Sequence, residues 1–328
     1  MMNEETDESS TVISYYLLYQ KLSRKSENTE DGRQCEEDKG NKRLPNNDDT
    51  TQSFWAVDEW TDLEKEETRL LLKKNEEKCG VPLHRKIKYE KGAARYWDNF
   101  YESHGTNFFK DRHYLKKAFP EEFGGEASHR SKSLVEIGSG VGNNILPLLD
   151  DYPNWKVWGY DLSKVAVELM KKDPRFDNSR ATGEVWDISK EDTSPPVLNV
   201  ADVCTLLFCL SAIAPEKMAI AANNTVATLK PAGILVFRDY GRYDEAQIKL
   251  GTNRAKRLGD NFYVKSDGTR CYYFSLQDIK EIFVEKAGLE ILELKYVQRI
   301  YQNRATDEKR RRVWVQGRFR KPVVSSTI

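Results

Sequence analysis

The chain has 328 residues, with 52 Lys+Arg balanced by 52 Asp+Glu and 32% of residues charged. That length fits one large domain or two small ones, and the zero net charge makes any affinity for nucleic acid depend on local asymmetry. Five cysteines (Cys35, Cys79, Cys204, Cys209 and Cys271) form no C-x-x-C pair and no metal-ligand spacing with the four histidines, so the expectation is a reducing compartment and no zinc. No apolar run approaches the roughly 20 residues that span a bilayer, and no charged-then-apolar leader opens the chain, so a soluble, cytoplasmic protein is expected.

Residues 1–53 are polar and acid-rich. Such a tail buries too little apolar surface to offset its ordering entropy and is expected to be disordered. The island Val12–Tyr19 is a candidate docking helix within it. From Phe54 the texture changes, and residues 54–131 read as a helical, aromatic and basic lid. Thr61 with Glu64 three residues on makes a capping box, which predicts a surface helix over 61–77. Lys86, Lys88, Lys91 and Arg95 lead into Tyr96–Tyr101 and Thr106–Tyr114, where rings alternate with bases. Single-stranded nucleic-acid surfaces have that texture, with rings stacking on bases and cations meeting phosphates. An amphipathic helix packing its aromatics beneath the main domain explains it equally.

Residues 132–322 form the expected main domain, followed by a short tail, 323–328. Its first strand, Leu134–Ile137, runs into three alternate glycines, Gly138, Gly140 and Gly142, before a helix carrying Ile145, Leu146, Leu148 and Leu149. Glycines there permit positive φ and let a ligand approach the backbone. The spacing is G-x-G-x-G rather than the dinucleotide-binding G-x-G-x-x-G, and Glu136 sets a carboxylate beside the turn. A phosphate is repelled by that neighbour, whereas a sulfonium and an amino group are attracted. S-adenosyl-L-methionine is therefore the first candidate ligand, with a nicotinamide cofactor and a ligand-free structural turn as alternatives.

Lys156–Tyr160 reads as a second strand, with Asp161 at its end to accept from ribose hydroxyls or to cap the helix Leu162–Lys171. Ala181–Trp186 is a third strand, followed by Asp187 as an acceptor for the adenine amine, and Ala201–Phe208 a fourth, apolar throughout as a strand covered on both faces should be. Pro215–Leu229 is a helix, Pro231–Gly233 a turn and Ile234–Phe237 a fifth strand. Arg238, Asp239 and Tyr240 then stand where an acceptor would meet the methyl group, and the basic stretch Lys249–Arg270 reads as a long functional loop. The chain closes with a helix over Ser275–Ala287 and two long strands, Leu289–Asn303 and Arg311–Phe319. Five parallel strands followed by an antiparallel hairpin predict an α/β fold: a class I methyltransferase, Rossmann-like, doubly wound sheet preceded by the N-terminal lid.

Several segments together resemble the tRNA N3-methylcytidine methyltransferases: Ala94–Tyr101, Asn107–His113, Glu136–Asn143, Leu210–Ile213, Phe237–Asp244 and Asn261–Arg270. The likeness runs from about Glu59 to the C-terminus, with the F-F-K-D-R-H and F-R-D-Y-G blocks its most distinctive parts. It implies methylation of cytidine 32 in the anticodon loop. The Trp60 region, Arg312–Gln316 and Lys321-Pro322 look closer to the branch acting on threonine, and in some organisms arginine, tRNAs than to the serine branch. Carried over by position, it implies that Trp97, Tyr101, Gly138, Asp161, Asp187, Ile188 and Leu207 hold the cofactor, beside Gly140 and Gly142 of the turn. Trp186 stands before Asp187 where a small residue is usual.

Cytosine N3 is neutral with a free lone pair, so it attacks the methyl group without prior deprotonation once the base is unpaired and swung out. The product is cationic. Asp239 is the candidate to stabilise it, Tyr240 to orient the base, and Arg238 to assist or to pair with Asp239. Lys110, Arg112, Arg242, Lys256, Arg257 and Arg270, flanked by Lys309–Arg312, are the candidates for tRNA phosphates, with a tRNA-presenting protein as a candidate partner. A small-molecule methyltransferase and a non-catalytic RNA-binding adaptor are the rival readings.

Overall fold

The computed structural model describes residues 80–125, 130–191, 194–303 and 308–323, together with 66, 68–70, 72 and 73. Residues 1–53 with the Val12–Tyr19 island lie outside the described residues, as do 324–328. Of the surface helix expected over 61–77, the described positions 66, 68–70, 72 and 73 are helical and the rest lies outside.

Two helices open the described chain, α1 (Leu83–Lys91) and α2 (Ala93–His104). Gly92 separates them, and Gly105, at φ 56°, ends α2 in a conformation that glycine tolerates. Two single turns follow, α3 (Leu115–Ala118) and α4 (Pro120–Phe123), the second opened by a proline whose missing N–H costs nothing at that position.

The strands β1 (Ser133–Ile137), β2 (Lys156–Asp161), β3 (Ala181–Val185), β4 (Ala201–Leu207) and β5 (Leu229–Tyr240) are parallel, in the spatial order β3-β2-β1-β4-β5. Helices α5 (Ile145–Asp151), α6 (Lys164–Lys172) and α7 (Met218–Thr228) connect them. The strand order reverses between β1 and β4, and the crevice at the carboxyl ends of those two strands is where such sheets bind ligands. The expected hairpin completes the sheet: β10 (Glu308–Arg320) pairs antiparallel with both β5 and β9 (Glu290–Asn303).

Period-two alternation sends successive side chains to opposite faces. Val135, Ile137, Cys204, Leu206, Leu235 and Phe237 meet Met218, Ala221 and Ala222 of α7 on one face. Leu134, Val203, Leu207 and Val236 meet Ile145, Leu146 and Leu149 of α5, and Leu115 and Phe119, on the other. Both faces are covered, which is why these strands are mostly apolar. Glu136 and Thr205 share the second face as register partners, and both are buried.

Four expectations need correction. Strand β5 begins at Leu229, with Ala232 at φ 63°, so Pro231–Gly233 is an irregular strand entry rather than a separate turn. Residues Lys249–Arg270 are not one loop. They contain the end of α8 (Glu245–Gly251) and a small antiparallel sheet of β6 (Arg257–Gly259), β7 (Phe262–Val264) and β8 (Arg270–Tyr272). The helix expected over 275–287 is α9 (Leu276–Lys280), opened by a Ser275–Asp278 capping box, and then widens to a π segment over Glu281–Lys286. Finally, Ser163 rather than Asp161 is the N-cap of α6.

The π segment has a packing role. Phe283 is fully buried within 5.2 Å, centroid to centroid, of both Phe237 on β5 and Phe319 on β10, so it joins the terminal hairpin to the parallel sheet. Phe283→Ala should therefore lower the unfolding free energy by about 3–5 kcal/mol in urea titration, the range for a buried aromatic with no room to collapse.

Candidate active site

The turn after β1 is built by its glycines. Gly138, Gly140 and Gly142 sit at φ 72°, 54° and 89°. A Cβ on Gly138 would lie 2.5 Å from Cys209 Cβ, and one on Gly140 would lie 2.7 Å from the Tyr101 hydroxyl. Side chains are excluded here both by dihedral and by space, so the backbone itself lines the crevice. Asp161 fixes the loop: its Oδ2 accepts from the Gly140 N–H and its Oδ1 from the Ser163 N–H, each at 2.8 Å. Burial raises its pKa, and those two backbone donors oppose the rise.

Above the turn lies α2. Trp97, Phe100 and Tyr101 pack on Val141 and Ala166 with Val165 and Leu169, and the Trp97 and Tyr101 rings stack 6.0 Å apart. Asp98 sets the helix in place by accepting from the Ser163 hydroxyl at 2.6 Å and the Val165 N–H at 3.2 Å. On the far side Asp187 accepts from the Ser189 N–H and hydroxyl at 3.0 and 2.7 Å. Ile188 is buried beside Trp186, whose ring meets Tyr160 edge-on at 5.6 Å. Trp186 thus fills the core behind Asp187.

Glu136 is the electrostatic anomaly. Its Oε1 accepts from Asn144 Nδ2 at 3.1 Å, while the buried Oε2 has no partner. The Ser139 hydroxyl next to the turn is also buried and unpartnered. Burial pushes the Glu136 carboxyl up to about 8, against the pull of the nearby Arg112 guanidinium. An orphaned acid beside a bare glycine backbone suits an S-adenosyl-L-methionine tail, because an ammonium would supply the missing donor and offset the cost of desolvation.

A second cluster, of rings and cations, lies at the carboxyl ends of β4 and β5. Phe208, immediately after β4, holds φ 56°, an unusual conformation for a bulky residue and one that marks functional sites. Its ring meets Tyr240 at 5.2 Å and Trp314 at 6.1 Å. The Tyr240 ring lies 5.7 Å from the Lys265 ammonium and 5.6 Å from the Arg312 guanidinium. Asp239 is fully buried: Oδ2 accepts from the Ser211 N–H and Oδ1 from the Tyr240 N–H, each at 2.9 Å. Burial pushes its carboxyl up to about 6 in spite of those donors and the Lys265 charge.

Comparison with known proteins agrees with this geometry. The methyltransferase-domain family matches residues 95–294. A tRNA N(3)-methylcytidine methyltransferase of Drosophila melanogaster, Mettl2, is 39% identical over 73% of this chain and 74% of its own. The chain belongs to the tRNA N(3)-methylcytidine methyltransferase family. The trm140 member of Schizosaccharomyces pombe is 34% identical over 82% of this chain and 87% of its own. The tRNA(Thr) (cytosine(32)-N(3))-methyltransferase of Saccharomyces cerevisiae is 36% identical over 82% of this chain and 43% of its own. A solved structure described as "Conversion of a Disulfide Bond into a Thioacetal Group during Echinomycin Biosynthesis" covers 71% of this chain with a TM-score of 0.52 and 16% identity, a likeness of fold. The fold is thus that of a class I methyltransferase, and S-adenosyl-L-methionine is the cofactor of this family member.

Within this methyltransferase the expected cofactor residues converge. Trp97, Tyr101, Gly138, Gly140, Gly142 and Asp161 surround the turn, Leu207 is buried at the end of β4, and Asp187 and Ile188 follow β3. The other expectations divide. Arg238, expected to assist catalysis or to pair with Asp239, is packed among aromatic rings. It is 4% exposed, lies over the Tyr114, Phe119 and Trp314 rings and donates to Gln316 Oε1.

Four of the arginines expected on phosphates face inward or are engaged by acids. Arg242 pairs with Asp278 at 3.2 Å, Arg257 with Asp260 at 2.6 Å, and the buried Arg270 with Glu90. Arg112 turns toward the crevice, donating to the Leu207 carbonyl at 3.2 Å. Lys110 is exposed and Lys256 half-exposed, and neither makes an ion pair among the described residues. Sequence reasoning did not single out Phe208, Lys265 or Trp314, although Lys265 lies within the Asn261–Arg270 block; Arg312, expected to flank the phosphate contacts, pairs with Asp244 at 2.8 Å.

The raised Glu136 pKa has a stability consequence. The native carboxyl keeps its proton up to about 8, whereas an unfolded one ionises near 4. The native state thus binds more protons between those values, and its stability falls as pH rises across that window. In urea titrations of cofactor-free protein between pH 5 and 8, wild type should lose stability relative to Glu136→Gln by about 1.4 kcal/mol per pH unit at most. A constant difference between the two proteins would show that Glu136 is ionised throughout.

Proposed function

We propose that this protein forms 3-methylcytidine at cytidine 32 in the anticodon loop of a subset of tRNAs, threonine tRNAs first and arginine tRNAs next, in the cytoplasm. The observation that carries the proposal is family membership at 39% identity, joined to a ring-and-cation cluster at the ends of β4 and β5. The relative named for cytosine 32 of tRNA(Thr) supports the choice of position and tRNA. Among the described residues no helix is long and apolar enough to cross a membrane, and none groups into a metal site.

When bound, S-adenosyl-L-methionine supplies an electrophilic methyl group on a sulfonium. Asp161 and Asp187 would hold its ribose and adenine, and the glycine backbone would meet its tail. The chain's remaining task is to present a cytosine edge-on with N3 in line, after the base leaves its stack. Phe208, Tyr240 and Trp314 offer aromatic surfaces for that base. No general base is required, because neutral N3 carries its own lone pair. Asp239 fits this chemistry: both oxygens are already bonded to backbone N–H groups, so it acts as a fixed negative charge facing a ring that becomes cationic. Lys110 and Lys256 remain the candidates for phosphate contacts. A partner protein that presents the tRNA is compatible with the exposed strap around Phe108 and Phe109.

Incubation with labelled cofactor and total tRNA, followed by digestion to nucleosides, should place label in 3-methylcytidine, and a threonine tRNA carrying uridine 32 should accept none. Label in small metabolites, or binding without transfer, would overturn the proposal. Asp161→Ala should abolish cofactor binding in titration calorimetry. For Asp239 the sign follows from its raised pKa: the wild-type rate should climb with pH through about 6 and level off above. Asp239→Asn should lose about 10–100-fold of the rate with no such rise, while keeping its tRNA affinity.

A further inference from the structure

The segment Asn107–His113 carries Arg112, whose sequence context suggests RNA and whose position does not. Its backbone N–H donates to the Asn143 carbonyl at 2.8 Å, and Asn143 Nδ2 donates back to the Phe109 carbonyl at 3.0 Å. Asp111 holds Arg175 at 2.7 Å. These bonds lay the segment along the end of the glycine turn and send the Arg112 side chain inward. Nη1 reaches the Leu207 carbonyl at 3.2 Å, and the guanidinium lies 5.5 Å from the Phe208 ring. A guanidinium has five N–H donors, and only this one bond engages them among the described residues.

Across the crevice stands Glu136, buried to 1% exposure with Oε2 unpartnered. Its carboxyl feels the Arg112 charge, yet no salt bridge joins the two. A guanidinium with unused donors and an acid with an unpartnered oxygen therefore lie near one another. An α-amino acid group fits between them, with its ammonium toward the acid and its carboxylate toward the guanidinium fork. Arg112 also touches Phe208 on the acceptor side, so the same side chain borders both halves of the site.

We infer that Arg112 binds the carboxylate of the cofactor's methionine tail, opposite Glu136 for its ammonium, and does not contact tRNA phosphate. The inference rests on the S-adenosyl-L-methionine reading of the glycine turn. The test uses the full chain and two probes: S-adenosylhomocysteine, which has the amino-acid tail, and 5′-methylthioadenosine, which lacks it. In titration calorimetry Arg112→Met should weaken S-adenosylhomocysteine about 30-fold, the loss of one charge-assisted contact, and change 5′-methylthioadenosine by less than about twofold. Arg112→Lys should fall between, since it keeps the charge and loses the fork. Filter binding of cofactor-free protein to tRNA should be unchanged in both variants.

Unaltered S-adenosylhomocysteine affinity would overturn the inference. So would equal losses for both probes, which would assign Arg112 to the structure of the turn, or a loss of tRNA affinity with cofactor binding intact. Failure of the wild-type protein to bind either probe would instead overturn the cofactor reading itself.

Discussion

The site depends on one buried carboxylate that accepts two backbone N–H groups. Asp161 holds Gly140 on one oxygen and Ser163 on the other, so the loop after β1 and the start of α6 are fixed to the end of β2. The cost of burying that charge is met by donors that the backbone would otherwise leave unpaired. Ser163 then passes the constraint outward, since its hydroxyl donates to Asp98 and so sets α2 over the turn. Helix α2, glycine backbone and second strand are thus one hydrogen-bonded unit. Each Asp161 oxygen retains a lone pair, which leaves the carboxylate able to accept from a ribose as well.

The opposite wall is organised by rings and cations in place of backbone amides. Tyr240 lies between the Lys265 ammonium and the Arg312 guanidinium, and Phe208 is held at positive φ between Tyr240 and Trp314. Arg312 is itself neutralised by the buried Asp244, which accepts from its Nε at 2.8 Å and from the Val313 N–H at 2.9 Å. The terminal hairpin therefore contributes to this ring-and-cation cluster as well as closing the sheet. A strained Phe208 persists because packing on three sides leaves its ring nowhere else to go.

Much of this was legible in the sequence, and the limit has a physical origin. The five buried strands, the glycine turn and the closing hairpin announce themselves because burial on a periodic backbone writes a periodic pattern. Strands β6, β7 and β8 each have three residues, too short to show alternation, so a small sheet passed for a loop. The residues expected to hold the cofactor lie near strand ends and around the glycine turn. The ion pairs of the basic residues were not legible because charge in a sequence does not reveal its partner: Arg270 meets Glu90, 180 positions earlier, and Arg242 meets Asp278. Nothing local distinguishes such an arginine from one that waits for phosphate. Phe208 was missed because its signal is a dihedral angle.

Glu90 illustrates what those internal pairs achieve. From α1 it binds Lys217 just ahead of α7 at 2.5 Å and Arg270 at the start of β8. One carboxylate thereby measures off three parts of the molecule against one another: the N-terminal helices, the central sheet's connection and the small sheet. A methyl group crosses to nitrogen only when donor and acceptor are aligned to within a fraction of an ångström. Surfaces that receive a large, floppy substrate can serve that alignment only if they are dimensioned from the same reference as the donor. The reference mark for that gauge is an acid that lies outside the reaction crevice altogether.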